Sequence, residues 1–206
     1  MSDQREYTYR RIHSLLGVIP IGVFVIQHLL INYFVVYGEE SFNKAANFMA
    51  NLPFVLALET FIIYLPILFH AVLGIYIVYV TKNNPKSYGY FRNWMFVLQR
   101  VTGIITLIFI IVHVYETRIQ VFLGTELNFQ LMEEILTKPF MFWFYVVGVL
   151  STVFHLANGL WSFFVSFGIT QSPRSQQIIT YVTIGIFIVV SYISLRSIFT
   201  FAYGPF

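Results

Sequence analysis

Five apolar stretches, each long enough to cross a lipid bilayer, leave this 206-residue chain very few folds. In hydrocarbon every backbone N–H and C=O must be satisfied within the protein, so a span is either an α-helix or a strand of a closed barrel. A helix needs ~20 mainly apolar residues and a barrel strand only ~9–11. The runs at roughly 12–37, 58–80, 94–122, 139–169 and 177–202 are all of helical length. Charged residues make up 10% of the chain, against about 25% in soluble domains. The chain therefore reads as all-α, a polytopic membrane protein whose five transmembrane helices form one domain over residues 1–206, with span ends placed to about 2–4 residues. The first run exceeds the ~7–15-residue apolar core of a cleavable signal and is expected to stay in the mature chain. Short polar connections such as Lys82-Asn83-Asn84-Pro85-Lys86 and Gln171-Ser172-Pro173-Arg174 carry the Pro and Asn that punctuate helices. Pro20 and Pro66 are expected to kink theirs, and no internal repeat or low-complexity tract is evident.

Four of the five runs carry one histidine deep in their interior: His28, His70, His113 and His155. An ionisable residue at membrane depth is costly, faces a protein interior or cavity, and is a functional-site candidate by default. The chain has no cysteine, which removes disulfides, thiolate zinc sites and thiolate-ligated iron–sulfur clusters. A bound metal must then be held through histidine. One imidazole on each of four helices, without a carboxylate cluster, is what bis-histidine ligation of two b-type haems requires. A lone intramembrane histidine can also be a plain interhelical hydrogen bond, worth ~1 kcal/mol, but four in matched positions favour ligation. His13 lies beside Arg10 and Arg11 at the end of the first run, where a headgroup, propionate or subunit contact is expected instead. The 23 Phe and 14 Tyr are read as lipid-facing and interfacial packing.

Charge orients the bundle. Arg5, Arg10, Arg11, Lys82, Lys86, Arg92, Arg100 and Arg174 fall on one side, while seven of the nine acidic residues fall on the other with Lys44, Arg118, Lys138 and Arg196. The positive-inside rule places the N-terminus in the cytoplasm and, after five spans of a cell-membrane protein, the C-terminus outside. The basic residues form no stripe, so no nucleic-acid partner is expected; membrane lipid is. On this topology His28 and His113 lie ~24–30 Å from the inner ends of their spans, and His70 and His155 ~18–24 Å from the outer ends. Two pairs follow, His28 with His113 toward the outside and His70 with His155 toward the cytoplasm. The latter two both read His-x-x-x-Gly, with Gly74 and Gly159 on the histidine's own helix face, a flat patch on which a macrocycle could lie. Haem propionates need cationic partners; Arg10, Arg11, Arg92, Arg100 and Arg174 are candidates on the inner side and Arg118 on the outer, each alternatively an orientation charge snorkelling to the interface. Asn32, Glu116 and Arg118 cluster beyond His28 and His113 at the outer end.

Three stretches carry a family resemblance: Tyr9-Arg10-Arg11-Ile12-His13-Ser14-Leu15-Leu16-Gly17, Arg92-Asn93-Trp94-Met95-Phe96-Val97-Leu98-Gln99-Arg100-Val101-Thr102-Gly103 and Phe154-His155-Leu156-Ala157-Asn158-Gly159-Leu160-Trp161. They closely resemble the cytochrome b558 subunits of Bacillus-type succinate dehydrogenases, and the likeness covers essentially the whole chain, all five histidines included. The resemblance implies a five-helix, di-haem b anchor of a succinate:menaquinone oxidoreductase, with a flavoprotein (FAD) subunit and an iron–sulfur subunit docked on its cytoplasmic face. It implies His70 and His155 for the haem nearer those subunits and His28 and His113 for the distal one. Epsilon-proteobacterial fumarate reductase anchors share the architecture, but their quinone-site acidic residues are not placed on this sequence.

The expected function is electron transfer across the membrane to menaquinone, reduced near the outer face beside Asn32, Glu116 and Arg118. No nucleophile, phosphate loop or paired-carboxylate site appears, so no catalytic residue is expected on this chain. Three other readings stay open: a quinol:fumarate reductase anchor running in reverse, a His-relay proton or ion transporter, and an anchor without a redox role.

Overall fold

A computed structural model describes residues 3–82 and 84–204; Asn83, within one of the expected connections, lies outside them. Among the described residues there is no strand, and five helices are long and apolar enough to cross a membrane: Gln4–Tyr37, Val55–Val80, Phe91–Phe122, Pro139–Ser166 and Pro173–Tyr203, the first to fifth spans. The first begins well ahead of its apolar run. Its opening turns are polar but helix-compatible, with Arg10 paired to Glu6 at 2.7 Å and Arg11 donating to the Tyr7 hydroxyl at 2.9 Å, both contacts of the i,i+4 kind that support a helix. The helix lapses for one residue at Ile19, ahead of Pro20, whose missing N–H and bulky ring break the ladder. Pro66 instead follows a π-helical segment, Glu59–Tyr64. The fourth span stops earlier than hydropathy suggests, at Ser166, followed by Gly168 at φ +72°. The fifth starts earlier, because Ser172 and Ser175 form a reciprocal capping box around Pro173.

Two further helices, Glu39–Ala50 and Phe129–Leu136, lie in the connections after the first and third spans. Their apolar faces supply Phe42, Ala46, Met132, Ile135 and Leu136 to a core shared with Val35, Phe142, Ile198 and Phe201. The Phe129 N–H donates to Asn43 Oδ1 at 2.8 Å, tying the two helices together. They form a packed lid over the end of the bundle that the charge pattern is expected to place outside, called the outer end below. Hydropathy windows miss them because each is amphipathic and too short to span.

The first four spans form a bundle in which the first neighbours the second and fourth, and the third packs closely along the fourth. The second and third touch only lightly, and the fifth packs along the fourth and the outer half of the first. Diagonal partners, first with third and second with fourth, are held apart across the bundle axis. The fourth span is the central post: 39% of its most apolar window is buried, against 6% in the first two spans.

Candidate functional site

Side chains projecting from facing helices into a bundle core are the usual way such folds hold a cofactor, and both diagonals of this bundle carry a histidine pair. On one diagonal, His70 of the second span faces His155 of the fourth, ring centres 6.0 Å apart and planes at 87°. On the other, His28 of the first span faces His113 of the third at 5.8 Å and 73°.

Each inner ring is fixed by a carbonyl and a glycine. Nδ1 of His70 donates to the His13 carbonyl at 3.0 Å, and Nδ1 of His155 donates to the Gln99 carbonyl at 3.0 Å. A carbonyl only accepts, so Nδ1 carries the proton and Nε2 keeps its lone pair. The rings lie so close to Gly17 and Gly103 that a Cβ there would stand 2.5 Å from His70 Cε1 and 2.9 Å from His155 Cε1. His13 stacks on His70 at 3.9 Å with planes within 10°, so it forms a wall of the inner site as well as an end-of-span residue. Gln99 plays the corresponding part opposite, its amide donating to the His155 carbonyl at 3.0 Å and accepting from Asn158 at 2.7 Å.

These contacts expose a repeat. His13, Gly17, His28, His70 and Gly74 are matched by Gln99, Gly103, His113, His155 and Gly159, each 85 or 86 positions later. The expectation of no internal repeat is thereby corrected: the repeat resides in a handful of axis-facing positions, and the residues between share little but hydrophobicity. The patches beside Gly74 and Gly159 hold neighbouring side chains, since a Cβ there would stand 3.3 Å from His13 Nε2 and 3.2 Å from Gln99 Nε2. Gly17 and Gly103 are the glycines that meet the His70 and His155 rings. The same four-residue spacing, applied to His13 and Gln99, was the signal that could have found them.

The outer pair is held by side chains. His113 Nδ1 lies 3.3 Å from the Tyr145 hydroxyl, which donates to Glu116 Oε2 at 3.2 Å. Phe109 stacks on His113 at 5.5 Å, and a Cβ on Gly148 would come within 2.3 Å of that Phe109 ring. Asn32 Nδ2 lies 3.3 Å from His28 Nε2 and donates to the His28 carbonyl at 2.8 Å. Asn32 and Glu116 thus both reach groups at the outer pair. Arg118 turns instead to Glu59 of the second span, at 2.6 Å. Both members of that ion pair sit on π-helical segments, Glu59–Tyr64 and Tyr115–Ile119, a local winding frequent at functional sites.

The other expected cations are spread along the opposite end. Arg10 is paired with Glu6, and Arg11 lies over the Phe167 ring at 4.3 Å. Arg92 lies over Trp161 at 3.8 Å and donates to the Thr180 hydroxyl. Arg174 is exposed. Arg100 is buried, its guanidinium 3.8 Å above Phe96.

Two ~2.0–2.1 Å imidazole–metal bonds end to end, with about 1 Å from each nitrogen to its ring centre, need ring centres about 6 Å apart. Both pairs meet that spacing. Metal-bound histidine almost always donates its other N–H to a carbonyl, carboxylate or water, which His70 and His155 do through backbone carbonyls and His113 does through a hydroxyl. For His28 to bind through Nε2, the Asn32 contact must be given up. The residues fit iron held between two imidazoles at each diagonal. Among the described residues no three His, Cys, Asp or Glu converge as a closed metal site would need.

Comparison with known proteins shows the family of the chain. Over 201 residues, 98% of this chain and 100% of its relative, the sequence is 60% identical to the succinate dehydrogenase cytochrome b558 subunit of Bacillus subtilis. Residues 81–194 match the family described as succinate dehydrogenase/fumarate reductase transmembrane subunit. With more than half of its length inside that match and the relative covered end to end, this chain belongs to the succinate dehydrogenase/fumarate reductase transmembrane subunit family.

Proposed function

We propose that this chain is the membrane-anchoring cytochrome b subunit of a succinate:menaquinone oxidoreductase, conducting electrons from a docked iron–sulfur subunit to menaquinone. The observation that carries the reading is the pair of diagonals, each with two imidazoles at the separation that one iron between them requires. When bound, two b-type haems would supply the one-electron carriers. The chain's part is to hold and orient them: His70 and His155 at the inner site, His28 and His113 at the outer, with the His13 and Gln99 carbonyls and the Tyr145 hydroxyl setting the tautomers. The buried Arg100 and the neighbouring Arg10 lie close enough for their charges to interact and suit an anionic propionate at the inner site.

With the N-terminus in the cytoplasm, Arg10, Arg11, Lys82, Lys86, Arg92 and Arg174 face the side where the iron–sulfur and flavoprotein subunits dock. Menaquinone is reduced at the opposite end, where Asn32, Glu116 and the Glu59–Arg118 pair supply polar groups within apolar walls, the ordinary make-up of a small-molecule site. Protons are then taken from outside while electrons arrive from inside, so turnover moves charge across the membrane. Likeness to a succinate dehydrogenase subunit over the full chain favours succinate oxidation over fumarate reduction and sets aside a proton-relay transporter. The test is haem quantification with a reduced-minus-oxidised spectrum of the assembled complex. Two b-type haems per chain are expected, and one or none would refute the reading.

A further inference from the structure

Three of the four ligand candidates direct Nδ1 at a hydrogen-bond acceptor, and the acceptors differ in kind. His70 and His155 each meet a neutral backbone carbonyl. His113 meets the Tyr145 hydroxyl, which in turn donates to the Glu116 carboxylate. The Tyr145 side chain has little freedom to point elsewhere. It is 3% exposed, packs edge-on to Phe109 at 5.2 Å and stands at 74° to the His113 ring. Glu116 reaches it from the π-helical turn that immediately follows the His113 helix.

We propose that Tyr145 is a positioning residue for the outer haem, linking His113 to Glu116 so that this ligand carries partial imidazolate character. Hydrogen bonds in a chain polarise one another, more strongly in a low dielectric, and a carboxylate at the far end makes the hydroxyl a better acceptor than an amide carbonyl. The Nδ1 proton is drawn toward oxygen and Nε2 becomes a stronger electron donor. A stronger donor favours ferric over ferrous iron, and outer partners of this kind commonly change metal affinity 10–100-fold. Tyr145 therefore lowers the reduction potential of the site held by His28 and His113 and leaves the His70/His155 site alone. The inference rests on haem binding at these two diagonals and adds a residue outside the ligand set.

The test is an optically monitored redox titration of the assembled complex carrying Tyr145→Phe, Glu116→Gln or both. The outer component is identified as the one that His28 or His113 substitution removes. Tyr145→Phe deletes one oxygen and is expected to shift that component's one-electron equilibrium about tenfold toward ferrous iron, about 59 mV upward, with the inner component unmoved. Glu116→Gln is expected to shift it less in the same direction, and the double variant no further than Tyr145→Phe alone. An unmoved outer midpoint, equal shifts in both components, or additive shifts would overturn the inference. If Tyr145→Phe loses the outer haem outright, Glu116→Gln decides: an upward shift supports the link and an unchanged midpoint overturns it. A wild-type complex without two haem components would overturn the haem reading itself, and the inference with it.

Discussion

Replacing Gly17 with alanine puts a methyl group where the His70 ring already lies. The added Cβ would stand 2.5 Å from Cε1, whereas carbons in contact rest at ~3.5–4.0 Å, so ring or helix must retreat by about 1 Å. The ring has little room to do so, with Nδ1 tied to the His13 carbonyl at 3.0 Å and the His13 ring stacked on it at 3.9 Å. Forcing extra volume into a packed site costs about 1–3 kcal/mol, which is roughly a five- to hundredfold loss in occupancy at 1.4 kcal/mol per decade. The variant should therefore lose or shift the His70/His155 spectral component and spare the other, read by reduced-minus-oxidised spectra and extracted haem on the assembled complex. Gly103→Ala, whose Cβ would stand 2.9 Å from His155 Cε1, should do the same more mildly. Gly185→Ala, with nothing within 4 Å, should leave both components intact. Wild-type amplitudes and midpoints in Gly17→Ala, or loss of the outer component first, would refute the reasoning.

Single substitutions of His70 and His155 should remove the same spectral component, and those of His28 and His113 the other. Spectra in which His70 and His28 variants lose the same component would show the pairing to be wrong. Asn32→Ala and Glu116→Gln should slow menaquinone reduction about tenfold or more while succinate oxidation with a soluble electron acceptor stays at wild-type rate; if both leave quinone reduction unchanged and a cytoplasmic-end substitution abolishes it, the quinone site belongs at the inner end. Ser172→Ala removes the cap of the fifth span and should cost about 0.5–2 kcal/mol, seen as earlier thermal loss of haem absorbance with an unchanged spectrum. Reversing the charge of Lys82, Lys86 and Arg174 together should weaken copurification of the iron–sulfur subunit in a salt-dependent way, and wild-type recovery at high salt would count against docking on that face.

The five spans and the two diagonals were legible because hydropathy and helical rise are both linear along the chain. Counting residues from each span's end put His70 level with His155 and His28 level with His113, and those are the rings that stand 6.0 and 5.8 Å apart. What surrounds the rings was harder to read. Tyr145 is one of 14 tyrosines, and nothing in its neighbours in sequence says that it faces His113 on another helix. The π-helical segments escaped because they depend on a local shift of register that has no sequence marker, and the Glu59–Arg118 ion pair joins two of them. Gly17 follows His13 at the His-x-x-x-Gly spacing, but Gly103 follows Gln99, and no histidine marks it. The contact that matters there is between helices: each imidazole rests on a glycine of a neighbouring span.

The most direct test of the central claim is the number of b-type haems per chain in the purified, assembled complex, measured by pyridine haemochrome against protein and resolved by redox titration into components. Iron held by imidazole pairs on both diagonals predicts two haems per chain, one component lost with either member of His70/His155 and the other with either member of His28/His113. A colourless complex, a single haem, or two haems that survive loss of these histidines would contradict it.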